Sequence, residues 1–132
     1  SLHAWRAYHN VYAVYEPTEK LGIQAGFDIG SDKYNEKDYG FWYAPICVLR
    51  YKTGAKSHLA VRGEYFNDAK QTLIATQTPN GFQTLGLSTN FDLQINEQAL
   101  WRIEIKNYES KDAIFDNKNN NLSITTSVSI KI

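Results

Sequence analysis

The sequence is short of the residues that reactive centres and charged partners require. It has a single cysteine, Cys47, in 132 residues, so no internal disulfide forms and no thiol cluster is available to hold a metal. Cys47 is expected to be a small apolar strand residue. The three histidines, His3, His9 and His58, stand apart with no carboxylate or cysteine at ligand spacing, which points to surface or rim groups and to no metal. No Ser-His-Asp or Cys-His arrangement presents itself by spacing, so no catalytic residue, no cofactor and no enzymatic activity are expected. Net charge is lacking too. Fourteen basic residues cancel fourteen acidic ones, and nothing recommends nucleic acid as a partner.

Long apolar runs are also missing. The run Tyr43 to Leu49 is seven residues and contains Pro45, and even with Phe41 and Trp42 before it it is far short of the roughly 20 apolar residues of a spanning helix. A helical membrane protein is excluded, whereas a β-barrel is not, because its strands alternate and its mean hydropathy stays low. The opening residues Ser1 to Arg6 read as strand and not as an export leader, so an export signal would lie upstream.

What is present is alternation. In His58 to Lys70, HLAVRGEYFNDAK, residues Leu59, Val61 and Tyr65 share one face of a strand and Arg62, Glu64 and Asp68 the other. Ala99 to Asp112, ALWRIEIKNYESKD, repeats the scheme, with Trp101, Ile103 and Ile105 opposed to Arg102, Glu104 and Lys106. A period of two puts the two sets on opposite faces. Leu21 to Lys33 has the same grammar, with Leu21, Ile23, Phe27 and Ile29 against Gln24, Gly26 and Asp28. The starts at Leu21, Leu59 and Ala99 lie 38 and 40 residues apart, the length of a repeated β-hairpin.

Seven strands are predicted, at about 2–16, 21–30, 41–52, 57–68, 82–95, 99–108 and 121–132. No helical periodicity intervenes, so the fold class is all-β, an antiparallel up-and-down meander. Connections after strands one, three and five are tight: Pro17 to Lys20, Thr53 to Lys56, and Asn96 to Gln98. Those after strands two, four and six, Ser31 to Gly40, Ala69 to Gly81 and Glu109 to Asn120, are expected to be long polar loops. Register follows from parity. A three-residue turn at Asn96 lets Leu93 share a face with Trp101 and sets Asp92 opposite or diagonal to Arg102, and the same rule matches Leu49 with Leu59.

Alternation alone leaves open whether the apolar wall faces a soluble core or lipid. Strands of roughly 10 to 14 residues are long for a soluble sheet yet enough for a tilted membrane strand. Short turns at one end and long loops at the other match the two ends of an outer-membrane barrel. Aromatic residues near strand ends, Trp5, Tyr15, Phe41, Tyr43, Tyr65, Phe82 and Trp101, would make interfacial girdles. These features favour lipid, with Leu59, Val61, Leu93, Trp101, Ile103 and Ile105 facing the bilayer and Arg62, Glu64, Asp92, Arg102, Glu104 and Lys106 facing a wet lumen.

The segments VRGEYFND and FDLQINEQALWRIEIKNYESKDAIF, followed by a final alternating strand, resemble the C-terminal region of the β-barrel porins of Gram-negative outer membranes. The resemblance covers roughly residues 21–132. In that family an Arg-x-Glu strand with a Tyr-Phe-x-Asp rim precedes a Phe-Asp strand, a tight turn and a second Arg-x-Glu strand. Those roles would fall on Arg62, Glu64, Tyr65, Phe66 and Asp68, then Phe91 and Asp92, then Arg102 and Glu104. One departure is the final Ile130-Lys131-Ile132, where such barrels usually end on an aromatic residue.

The resemblance implies an outer-membrane, porin-like passive channel for small hydrophilic solutes. Residues 1–132 would be a single segment, the C-terminal portion of a larger barrel. Seven strands leave unpaired edges that lipid does not tolerate, so upstream strands of the same barrel, or self-association, are expected to complete it. Two alternatives stay open: a soluble β-barrel binding a small apolar ligand, and a non-conducting structural or adhesive outer-membrane barrel.

Other motifs receive plainer expectations. The Asp- and Asn-rich run Ile114 to Asn121 is interrupted by Lys118 and reads as a turn-rich outer loop and not a calcium loop. Asn80-Gly81 is a turn signal. Asn121-Leu122-Ser123 matches the glycosylation acceptor pattern by chance. Pro45 should fall at a bulge or an unpaired position of strand three.

Overall fold

The computed structural model describes residues 5–33 and 37–132. The alternating segments, dense in Val, Ile, Tyr, Phe and Trp, form strands, as residues suited to a pleated, half-buried surface do. They are β1 (Ala7–Tyr15), β2 (Leu21–Lys33), β3 (Tyr39–Gly54), β4 (Ser57–Asp68), β5 (Phe82–Gln94), β6 (Ala99–Ser110) and β7 (Asn120–Ile130). All seven lie in one sheet in sequence order, each antiparallel to the next.

Register obeys the parity rule. Leu93 lies opposite Trp101 and Asp92 opposite Arg102, while Leu49 pairs with Val61 and Tyr51 with Leu59. Pro45 behaves as its missing N–H requires: the β3–β4 ladder passes from Tyr43–Asn67 to Ile46–Glu64 without pairing Ala44 or Pro45, and resumes in the same register. A register shift at Lys52 to Gly54 tightens the following turn.

Two expectations need correction. Of the predicted loop Ser31 to Gly40, five of the seven described residues are strand, since Ser31 pairs with Phe41 and Asp32 with Gly40. The connection is only residues 34–38, no longer than the turn at 16–20, and its residues 34–36 lie outside the described set. The polar composition that suggested a loop belongs to a strand end whose Asp32 side chain is 7% exposed and holds Arg6 Nε at 2.9 Å. The first strand is also shorter than expected. It begins at Ala7, and the predicted portion at 1–4, with His3, lies outside the described residues.

Cross-strand partners share a face, so the pairing divides the sheet cleanly. One face carries Asp28, Arg50, Arg62, Glu64, Asp92, Arg102, Glu104 and Lys106, and the Ser and Thr positions 123, 125 and 127 of β7. The other carries Val11, Phe27, Leu49, Val61, Leu87, Ile103, Ile105 and Ile124. The sheltered face is the polar one: the buried strand residues Gly30, Asp32, Gly40, Ala60, Asp68, Thr84, Gly86 and Ser88 all lie on it. The apolar face is open, with Leu87 53% and Ile124 67% exposed. Ala60 is the single buried hydrophobic residue among those described. Strands β1 and β7 do not pair with each other, so the sheet has two free edges.

Candidate functional site

The charged residues singled out from the sequence meet on the polar face. Arg102 donates from Nε and Nη2 to Oδ1 and Oδ2 of Asp92, both at 2.6 Å, a two-pronged geometry that fixes orientation as well as distance. Asn90 adds an amide N–H to the same carboxylate at 3.2 Å. One strand away, Arg62 Nη2 reaches Glu64 Oε2 at 2.7 Å along β4, and Lys106 stands 3.8 Å from Glu104 along β6. The Arg-x-Glu spacing thus pairs residues two apart on one strand face, as an alternating strand allows.

A second layer ties these pairs together. The Tyr108 hydroxyl donates to Glu64 Oε1 at 3.1 Å, spanning β5 to do so. It crosses at Gly86, where an added Cβ would come within 2.7 Å of the Tyr108 ring and 2.9 Å of Glu64, so a glycine is needed there. Lys106 Nζ sits 5.6 Å from the Tyr108 ring centre, within cation–π range. Further out, Asp28 accepts from the Tyr8 hydroxyl at 2.9 Å and from the Asn10 amide.

The six residues expected to face lipid, Leu59, Val61, Leu93, Trp101, Ile103 and Ile105, lie together on the apolar face. Phe27 sits at the middle of β2, but most of that face's aromatic residues gather toward the strand ends: Phe41, Tyr43 and Tyr65 at one end, Tyr15, Tyr51 and Trp101 at the other. The Trp101 indole N–H is satisfied at this face by Thr126 Oγ1, at 2.8 Å. Cys47 is a free, exposed strand residue on the same face, opposite Ala25 and Gly63. Two expected girdle residues are placed elsewhere. Trp5 precedes β1, and Phe82 lies on the polar face opposite Asp68.

Phe82 belongs to a feature that the alternation did not reveal. On the polar face, near the longer loops, Tyr8 stacks with Trp42 at 5.7 Å, Trp42 with Phe66 at 5.8 Å, and Phe66 meets Phe82 edge-on at 5.4 Å. The Trp42 indole lies over Gly30, where a Cβ would fall 2.4 Å from the ring. Beside this row is a cavity of about 400 Å³ lined by Asp28, Arg62, Glu64, Phe66, Phe82, Thr84, Tyr108 and Phe115. The available signal was parity: Trp42, Phe66 and Phe82 are even-numbered aromatics among strands whose even positions, Ile46 and Val48 of β3 apart, are otherwise polar or small.

Two loops roof this end. Asp68, fully buried, accepts from Thr72 N–H and Oγ1 and from the N–H groups of Leu73 and Ile74, at 2.8 to 2.9 Å. The loop 69–81 is bound to loop 111–119 by Asn80, whose backbone and side-chain N–H groups donate to the two oxygens of Asp112 at 2.8 and 2.9 Å. These bonds hold the Asp112 carboxyl below the ordinary carboxylate range. Asn80 is therefore a latch as well as a turn residue. In the predicted turn-rich segment, Phe115 and Lys118 bridge around Asp116 and Asn117, both at positive φ.

An antiparallel meander with one charged face and one open apolar face is the fabric of a porin-type β-barrel wall. The family described as putative beta-barrel porin-2, OmpL-like, matches residues 1–132, and the chain belongs to it. Membership implies an outer-membrane, porin-like barrel with a transport role, in a group that is generally non-enzymatic. Neither the curated proteins nor the solved structures provide a match.

Proposed function

We propose that this chain is one portion of the wall of an outer-membrane channel that passes small hydrophilic solutes. Arg62, Glu64, Asp92, Arg102, Glu104 and Lys106 line its lumen, while Leu59, Val61, Leu93, Trp101, Ile103 and Ile105 face the bilayer. The observation that carries this reading is the inversion of burial: polar and glycine positions are sheltered, while Leu87, Ile105 and Ile124 are open. A soluble sheet with this apolar face in water would aggregate, and a soluble barrel needs the opposite face inside. The free edges of β1 and β7 require partners in hydrocarbon, supplied by further strands of the same barrel or by copies of the chain.

The test is accessibility combined with conductance, in the full-length parent protein with Cys47→Ser. Single cysteines at Asp92 and Arg102 should react with a water-soluble maleimide, whereas those at Leu93 and Ile103 should react only with a lipid-dissolved probe. Ile103→Arg should cost about 2 to 4 kcal/mol, the penalty for a cation on the lipid face near the bilayer midplane. The reverse labelling pattern would turn the barrel inside out. Correct labelling without conductance in planar bilayers would favour a structural or adhesive barrel.

A further inference from the structure

The cavity beside the aromatic row has the composition of a binding site. Its volume of about 400 Å³ lies in the range of small-ligand sites, about 300 to 1,000 Å³. Three of its walls are the rings of Phe66, Phe82 and Phe115. The polar side is formed by Asp28, Arg62 and Glu64. These groups have capacity to spare: Asp28 accepts from Tyr8 and Asn10 through Oδ1, and Arg62 reaches Glu64 through Nη2, on a guanidinium that carries five N–H donors.

An independent observation also points to an occupant. Thr84 is 3% exposed, lines this cavity, and its hydroxyl has no hydrogen-bond partner. A buried hydroxyl left unpaired is costly and unusual. Within this sheet it is an orphan between Phe66 on β4 and Ser110 on β6, at the wall of the cavity and covered from it, so a polar solute reaches the hydroxyl only as the side chain turns.

We propose that this cavity is a solute-binding station for a neutral polyhydroxylated ring, a pyranose sugar. A pyranose has an apolar C–H face that lies against aromatic rings, and a rim of hydroxyls that both donate and accept. The rim suits carboxylates at Asp28 and Glu64, a guanidinium at Arg62 and, once its side chain turns toward the cavity, the unpaired hydroxyl at Thr84. Charge decides against an anion: Arg62 and Glu64 neutralise each other at 2.7 Å, and the remaining carboxylate, Asp28, accepts from the neutral donors Tyr8 and Asn10, the kind of donor that a sugar hydroxyl also is. Binding is weak by design, since a channel site must release what it captures.

The proposal deepens the channel reading, because a sugar reaches this face only if water does. Its test is a binding measurement that does not need conduction. The full-length parent protein, folded in detergent micelles and checked by heat-modifiable migration, is titrated with D-glucose, with saturation transfer to the sugar C–H protons as the readout. Polyethylene glycol of similar mass is the control, and bilayer conductance is recorded in parallel.

Saturable transfer to glucose, uncompeted by the glycol, is expected. Phe82→Leu and the isosteric Thr84→Val should each weaken it about three- to tenfold, the value of one stacking contact or one hydrogen bond. Should Phe82→Leu fail to fold, Thr84→Val alone carries the test. A folded, conducting protein with no saturable transfer would overturn the sugar site and leave the channel standing. Saturable transfer without conductance would keep the site and remove the channel. Transfer undiminished in the folded variants would overturn the site's location.

Discussion

Replacing Asp68 by alanine should open the loop 69–81 without unfolding the sheet. The carboxylate is fully buried and accepts four hydrogen bonds, three of them from consecutive backbone N–H groups at Thr72, Leu73 and Ile74. A hydrogen bond to a charged acceptor contributes about 1.5 to 3 kcal/mol net. The four are not additive, because freed loop amides can turn to water, so the local cost is about 3 to 5 kcal/mol. Each 1.4 kcal/mol is tenfold, so exchange of the Thr72, Leu73 and Ile74 amides, followed by hydrogen exchange in micelles, should speed up at least about a hundredfold. Asp68→Asn should be nearly as damaging, because its NH₂ group would meet donors. Strand amides of β4 and β5 should keep their protection. Wild-type protection at the three loop amides would refute the reasoning and hand the loop's order to Gln71, which accepts from Thr76 and Gln77.

Two more outcomes are expected. Neutralising Arg62 and Arg102 to glutamine together should leave Asp28, Glu64, Asp92 and Glu104 in excess on the polar face. A charge removed at about 5 Å in water changes an ion's energy by somewhat under 1 kcal/mol, so cation selectivity should rise roughly two- to fourfold; an unchanged reversal potential in a salt gradient would count against a lumenal role. The Asp112–Asn80 latch should weaken on acidification. Because the folded carboxyl titrates below its unfolded value, the latch is fully present above the ordinary aspartate range near pH 4 and is lost as pH falls through the lower, folded value. The NMR shift of the Asn80 amide proton reports this, and Asp112→Asn should abolish the pH dependence.

The fold was legible because alternation and turn length are local properties that a sheet obeys throughout. The Asn96 turn alone set Leu93 against Trp101 and Asp92 against Arg102, and the rest of the ladder could be counted from it. The strand end at Ser31 and Asp32 was misread because Asp32 lies on the polar face and Ser31 is a polar residue at the end of the apolar one, and such a pair looks like a loop when only hydrophobicity is followed. Phe82 was misread for the complementary reason, since an aromatic near a strand end looks like a girdle residue until its parity is compared with its neighbours. The Asn80–Asp112 latch joins residues 32 positions apart, and no local pattern encodes a bond between two loops.

The absence of an apolar core changes where this sheet keeps its rigidity. Ala60 is the one buried hydrophobic residue among those described, so close packing of aliphatic side chains cannot hold the polar groups in place. The backbone ladder does so, aided by side chains that lie across neighbouring strands. That arrangement needs floor space, which glycine supplies where the long side chains cross: Gly30 under the Trp42 indole and Gly86 under Tyr108 on its way to Glu64. An alanine at either place would push the ring off the sheet before it disturbed the ladder, and the displaced ring would take with it the aromatic row or the Glu64 contact. On such a face the smallest residues decide where the functional groups stand, and sensitivity to substitution should follow the glycines and the charge pairs more closely than the aliphatic positions.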